Sequence, residues 1–301
     1  MLYPLFFVPV YKDYIWGGSR IRETFHRLSA SGKVAESWEI SCHPDGMSVV
    51  ENGPLKGKTL QELFETKREA LMGKDAELEQ FPLLLKIIDA QDNLSVQVHP
   101  SEGKEAKTEC WYLLDCQADS VVYAGLKDHF SREEIEKKLP SKAILELLRT
   151  VPAQKGAMVS IPGGRLHAIG SGCLIFEIQQ TSNTTYRVYD WERGRERHLD
   201  KAKEVMRYDD TEDPQMTPKV IDDNLHSKQT ELIRTPYFVV EKWEIKQEMK
   251  WPKKENQCEF LFCVSGENSL VPVGRSCLIP AACKSPVIHT EGTTLLRAYI
   301  P

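Results

Sequence analysis

No stretch of this 301-residue chain approaches the roughly 18 uninterrupted apolar residues of a membrane-spanning helix. The apolar opening segment is broken by Pro4 and Pro9 and has no basic leader, so it reads as neither a signal peptide nor a span. A basic excess is missing as well. The 39 Lys and Arg against 44 Asp and Glu leave a net charge of −5, which argues against a protein whose main partner is nucleic acid. Gly and Pro, at 18 and 17 residues, fall far short of low-complexity sequence. The eight cysteines form no tight Cys-x-x-Cys pair. They read as free thiols, and Cys258, Cys263, Cys277 and Cys283, set in alternating strand-like sequence, read as core residues rather than a zinc knuckle. With 41% hydrophobic residues, what remains is a soluble, cytoplasmic, globular protein.

Most of the chain reads as short β-strands. Residues 36–41, 83–90, 94–98, 110–114, 120–123, 173–179, 184–189 and 237–245 are rich in Val, Ile, Thr and aromatics and are bounded by turn residues. Many short strands at this spacing predict a sandwich or barrel. Three segments carry helical periodicity. Residues 59–72 open with a capping box, Thr59 and Glu62, and set Leu60, Leu63, Phe64 and Leu71 near one face. Residues 131–148 are interrupted by Pro140, predicting two short helices, and residues 200–207 form a third. The polar, Pro-containing stretch 209–224 is the best linker. The expected division is a large β domain with helical insertions, 1–220, and a small all-β domain, 221–301.

Several polar residues interrupt apolar strands. In SVQVHP, alternation puts Ser95, Gln97 and His99 on one face and Val96 and Val98 on the other. Polar residues concentrated on one strand face are costly unless something engages them. Lys107 and Glu109 share a face at the start of the next apolar strand, and His167 follows a Pro-Gly-Gly turn. Two imidazoles, a carboxylate and an amide carbonyl make a coordination set for a divalent metal such as zinc. The same residues are also consistent with two separately satisfied core histidines and a surface acid. Arg187 sits among strand-forming residues, where an unpaired charge is costly. Arg195 and Arg197 read as a solvated hairpin with Glu192 and Glu196 as partners, and Lys86, inside LLLKIIDA, as a lysine snorkelling from a strand edge.

Taken together, IWGG ending at Gly18, ESWEIS, SVQVHP, KTECWY, GGRLHAIG ending at Gly170 and TTYRVYDWER ending at Arg193 resemble the type I phosphomannose isomerases, in particular their short bacterial form. The resemblance implies a mainly β, cupin-type jelly-roll sandwich with a smaller C-terminal all-β domain, and one zinc ion per chain. It implies interconversion of mannose 6-phosphate and fructose 6-phosphate through a cis-enediol. By the same resemblance His99, Glu109 and His167 are metal ligands with Gln97 as a fourth, and Arg187 is the catalytic arginine. Lys107 and Lys86 line the substrate pocket, Lys107 assisting ring opening or proton transfer, and Ser95 and Arg193 contact the phosphate. A sugar phosphate is the expected partner, with no nucleic acid, membrane or obligate protein partner. The chain departs from the pattern in three places. Only nine residues separate His99 from Glu109, where the family usually has a longer loop. The segment GENSLVPVGRSCLIPAA is also short, and Asn183 stands where some members have an acid. Loop trimming keeps a second reading open, a non-catalytic cupin that binds a sugar phosphate.

Overall fold

The structure, a computed structural model, describes residues 2–27, 32–290 and 292–301. A six-stranded antiparallel sheet runs in the order Met158–Ile161, Glu109–Cys116, Cys173–Gln180, Leu83–Ala90, Glu36–Ile40, Val10–Lys12. It faces a five-stranded sheet ordered Tyr186–Tyr189, Val96–Val98, His167–Ile169, Val121–Leu126, Leu148–Pro152. Ile88, Trp111, Leu113 and Ile175 of the first sheet and Val122, Ala124 and Ile169 of the second share one buried cluster. This pair is the jelly-roll sandwich that the family resemblance implies.

LLLKIIDA is buried along its whole length because both faces of its strand are covered. Ile88 points into the sandwich. Leu83, Leu85 and Ile87 point the other way, onto a layer that includes Phe260, Phe262 and Leu296. Phe176 stacks on Phe262 there with ring centroids 4.1 Å apart. A strand enclosed on both sides reads as a continuous apolar run rather than an alternating one.

The covering layer is a second six-stranded sheet, ordered Lys219–Asp223, Ser227–Arg234, Val239–Ile245, Thr293–Tyr299, Glu259–Ser265, Ser276–Ile279. Residues on both sides of position 220 therefore share one apolar cluster. The linker-like stretch is only partly solvated: Asp210 is buried, and Lys219–Asp223 joins the sheet as an exposed edge strand. Composition reports the polarity of Asp210, whereas its burial comes from a partner 45 residues upstream, Arg165.

The predicted helices appear with altered limits. Thr59 Oγ1 accepts from the Glu62 amide at 3.0 Å and Glu62 Oε2 accepts from the Thr59 amide at 2.7 Å, the expected capping box. The helix then breaks at Lys67, whose φ of −137° is not helical, giving Leu60–Thr66 and Arg68–Met72 in place of one helix. After Ser131 the chain forms Arg132–Lys138 and, beyond Pro140, a 3-10 turn at Lys142–Glu146. These segments and Leu199–Val205 cover the outer face of the five-stranded sheet, where Ile135, Leu139, Ile144, Ala202 and Met206 pack on Val96, Val98, Ala168 and Val188. All eight cysteines are free, six of them buried. Among the described residues no helix is long and apolar enough to cross a membrane.

Candidate active site

Strand register assembles the site. Gln97 lies opposite His167 on one neighbouring strand and opposite Arg187 on the other. Side chains at matched positions of adjacent strands share a face. Three residues separated by up to 90 positions thus stand abreast on the inner face of the sandwich. His99 follows two residues beyond Gln97, and Glu109 opens a strand of the facing sheet.

His99 Nε2 lies 3.5 Å from Glu109 Oε2, and His167 Nε2 lies 3.5 Å from Glu109 Oε1. All three side chains are about 1% exposed. The outer nitrogens set the tautomers: His99 Nδ1 donates to the Thr184 carbonyl and His167 Nδ1 to the Arg165 carbonyl, each at 2.8 Å. A carbonyl can only accept, so both Nε2 lone pairs are directed inward. Carbonyl-held imidazoles of this kind are what a metal site uses to orient its ligands. Glu109 Oε2 is buried without a hydrogen-bond partner; the Lys107 ammonium is 3.0 Å away but off hydrogen-bond geometry. Gln97 Nε2 donates to His167 Nε2 at 3.3 Å, and an amide flip would present its carbonyl instead. An inward-facing N, N, O set with an orphaned carboxylate oxygen fits a divalent cation, and His99, Glu109 and His167 are the group among the described residues that could hold one.

Without such an ion, burial and then the nearby Lys107 charge hold the His99 imidazole below its ordinary pKa. Burial and His99 push His167 down to about 3. For Glu109, burial acts to raise the pKa, but Lys107 and His99 outweigh it and hold the carboxyl well below the usual range. All three groups are therefore in the metal-binding protonation state at neutral pH.

The short loop after His99 does not displace Glu109. The Lys107 amide donates to the Pro100 carbonyl at 3.0 Å and closes it. The Pro-Gly-Gly turn packs against the same loop, with Gly164 N donating to the His99 carbonyl at 2.8 Å. A Cβ on Gly163 would lie 2.5 Å from Ser101 Cα, so this position admits only glycine without backbone movement.

Beside the triad is a polar cavity of about 280 Å³. Of the residues anticipated from sequence, Lys86, Ser95, Gln97, Lys107, Glu109 and Arg187 line it. Arg193 does not; its side chain is 18% exposed and 3.9 Å from Asp190. Arg195 takes that place in the lining, held by a fork onto Asp190 at 2.8 and 2.5 Å, whereas the sequence reads it as a solvated hairpin residue with Glu192 and Glu196 as partners. Its partner lies five residues back because the left-handed backbone at Trp191 and Glu192 turns the chain sharply. Lys86, read as an edge lysine, is central. It lies 3.6 Å from Glu36 and 3.3 Å from Glu177, with its ammonium over the Trp38 ring. Burial acts to lower its pKa, but Glu36 and Glu177 outweigh that and raise it. Burial and then Glu109 raise the pKa of Glu177. Glu177 went unread in the sequence, although its signal matched that of Lys86, a charge inside an apolar strand, and the two are paired in register.

A buried fork supports His167. Arg165 Nε and Nη2 donate to Asp210 at 2.8 Å each, while the Arg165 carbonyl holds His167 Nδ1. Removing one partner of a buried ion pair costs about 3–5 kcal/mol. Asp210→Ala is expected to lose that much stability, read from the urea midpoint; an unchanged midpoint would contradict the role assigned to the pair.

The fold and site define a β-sandwich enzyme with a buried carboxylate–imidazole centre in a polar pocket. A profile of the phosphomannose isomerase type I catalytic domain matches residues 5–132. The mannose-6-phosphate isomerase ManA of Bacillus subtilis is 40% identical over 262 residues, covering 80% of this chain and 79% of that protein. The mannose-6-phosphate isomerase of Streptococcus mutans is 39% identical over 264 residues, covering 83% and 81%. A crystal structure of the mannose 6-phosphate isomerase from Bacillus subtilis aligns with a TM-score of 0.90 and 32% identity, over 99% of this chain and 100% of that one. The chain belongs to the type I phosphomannose isomerase family and is an isomerase.

Proposed function

We propose that this protein interconverts mannose 6-phosphate and fructose 6-phosphate, with one zinc ion per chain held by His99, Glu109 and His167 and, after an amide flip, by Gln97. The observation that carries the reading is the meeting of three inward-facing ligand atoms with Arg187 and two lysines in one polar cavity. The named activity of relatives near 40% identity supports the substrate. A zinc ion at this centre supplies Lewis-acid polarisation of substrate oxygens.

Aldose–ketose isomerisation moves a proton between C1 and C2 through a cis-enediol, so the site must hold negative charge on oxygen and exchange one proton. Arg187, permanently charged and forked, stabilises that oxygen. Its Nε is buried without a partner, leaving donor capacity for substrate. Lys107 is positioned to assist ring opening or proton transfer at the sugar oxygens. Ser95 and Lys86 present a hydroxyl and a cation to the phosphate, and Arg195, which lines the cavity, supplies the guanidinium expected of Arg193. All these groups lie within residues 86–195, in keeping with a catalytic part spanning 1–220 and a C-terminal β part spanning 221–301. The reaction calls for soluble, cytoplasmic placement alongside its sugar phosphates.

A coupled assay of mannose 6-phosphate conversion tests the reading. Activity is expected to vanish on chelation and return with zinc. Full turnover by stripped protein would refute the metal assignment, and zinc-loaded protein that binds the sugar phosphate without turning it over would leave a binding protein only. Charge-assisted contacts are worth about 1.5–3 kcal/mol, so Arg195→Ala is expected to raise KM roughly 10- to 100-fold with a smaller change in kcat. Arg193→Ala is expected to change KM less; the reverse ranking would return the phosphate contact to Arg193.

A further inference from the structure

The C-terminal sheet repeats the strand pairing of the catalytic one. In the catalytic half Glu109 lies opposite Ile161 on one side and Gln179 on the other. In the C-terminal half Glu259 lies opposite Ile279, and the pairing of Phe260 with Ala298 brings it level with Tyr299. Two residues before Gln179 is Glu177, opposite Lys86; two residues before Tyr299 is Arg297, opposite Glu241. The short facing strands follow suit. Gln97 pairs with His167, and Met249 pairs with Ile288. Two residues beyond Gln97 is His99, and two beyond Met249 is Trp251. Register alone thus matches Glu109 with Glu259, His99 with Trp251 and His167 with Ile288.

The carboxylate is retained at this second position while both imidazoles are gone. Trp251 Nε1 donates to Glu259 Oε2 at 2.7 Å, where His99 faces Glu109 in the catalytic half. Positive charge comes from within the chain. Arg297, 3% exposed, donates through Nε and Nη2 to Glu241 Oε2 at 2.9 and 2.5 Å and through Nη1 to the Pro252 carbonyl at 3.0 Å, with Glu259 Oε1 3.7 Å away. Its guanidinium is enclosed by the rings of Trp243, Trp251 and Tyr299 at 4.8, 5.3 and 5.5 Å. Glu241 also accepts from Trp243 Nε1 and Tyr299 Oη.

We propose that the C-terminal β part carries a closed counterpart of the catalytic metal position, in which the Arg297 guanidinium is the resident cation, so that each chain offers a single metal position. The match comes from register and does not depend on which ion the catalytic half holds. An aromatic box lined by two carboxylates selects a planar, weakly hydrated cation over a compact metal ion, because stacking and forked hydrogen bonds replace coordination.

Full-length Arg297→Ala tests this. It leaves two buried carboxylates without the guanidinium between them, and its thermal midpoint is expected to fall by about 10 °C. Guanidinium chloride well below denaturing concentrations should restore part of that loss, while sodium chloride at equal ionic strength should not, and specific activity of the folded protein should persist. An unchanged midpoint, or a loss that guanidinium does not relieve, would overturn the proposal. If Arg297→Ala does not yield folded protein, Arg297→Lys keeps a cation without the planar fork and should melt below wild type; a wild-type midpoint would count against a guanidinium-specific box. Cobalt titration of the wild type should find one tightly held ion, and a second ion abolished by Glu259→Gln would also overturn it.

Discussion

Replacing Arg187 with alanine is expected to lower kcat by about 10²–10³-fold, the typical cost of removing one preorganised donor to a developing oxyanion. Metal content and thermal midpoint should stay near wild type. Arg187 makes few structural contacts to lose, since its Nη1 donates to the Glu196 carbonyl at 2.8 Å while Nε has no partner. Burial and then Arg195 lower its pKa, but an arginine guanidinium is effectively always charged in a protein. Its effect should therefore appear as a pH-independent loss. Near-wild-type turnover would remove Arg187 from the chemistry, and a parallel loss of metal would make it a structural residue instead.

Replacing Glu109 with glutamine is expected to abolish both tight metal binding and turnover. Among the described residues the Glu109 carboxylate faces both imidazoles, 3.5 Å from each, and it compensates the buried Lys107 ammonium at 3.0 Å. Loss of an outer-shell partner alone typically costs about 10–100-fold in metal affinity, so loss of a charged ligand should exceed that. Metal analysis after dialysis and the coupled assay read the two effects separately. Metal retained at one equivalent would mean that Glu109 is not a ligand.

The same centre makes metal-free protein sensitive to acid. His99 and His167 have lowered folded-state pKa values, so between those values and the unfolded value of 6.5 the unfolded chain binds more protons than the folded one. Stability then rises with pH over that window and falls on acidification, by up to about 1.4 kcal/mol per pH unit for each imidazole. Denaturant midpoints of stripped protein at pH 7 and pH 5 check the sign, and equal midpoints would mean that the imidazoles are not buried and neutral in the metal-free fold.

The legible part of this protein was local. Alternation along SVQVHP assigned Gln97 and His99 to one face because a strand repeats every two residues, and the capping box at Thr59 followed from two side chains three positions apart. The composition of LLLKIIDA announced a strand, but its burial on both faces and the enclosure of Lys86, read as an edge lysine, came only with the structure. The family motifs, each a short run of neighbours, carried His99, Glu109, His167 and Arg187, which the structure brings to one centre and its adjoining cavity. What the sequence could not express was pairing at a distance. Lys86 became the centre of a Glu36–Glu177 clamp through a register joining strands some 50 and 90 residues apart. Asp210, polar and in linker-like company, was buried by Arg165. Arg195 entered the cavity ahead of Arg193 because of a sharp turn at Trp191 and Glu192. Composition and periodicity describe what a residue prefers, but the free energy of a buried charge depends on which partner tertiary structure sets beside it, and that decided the pocket.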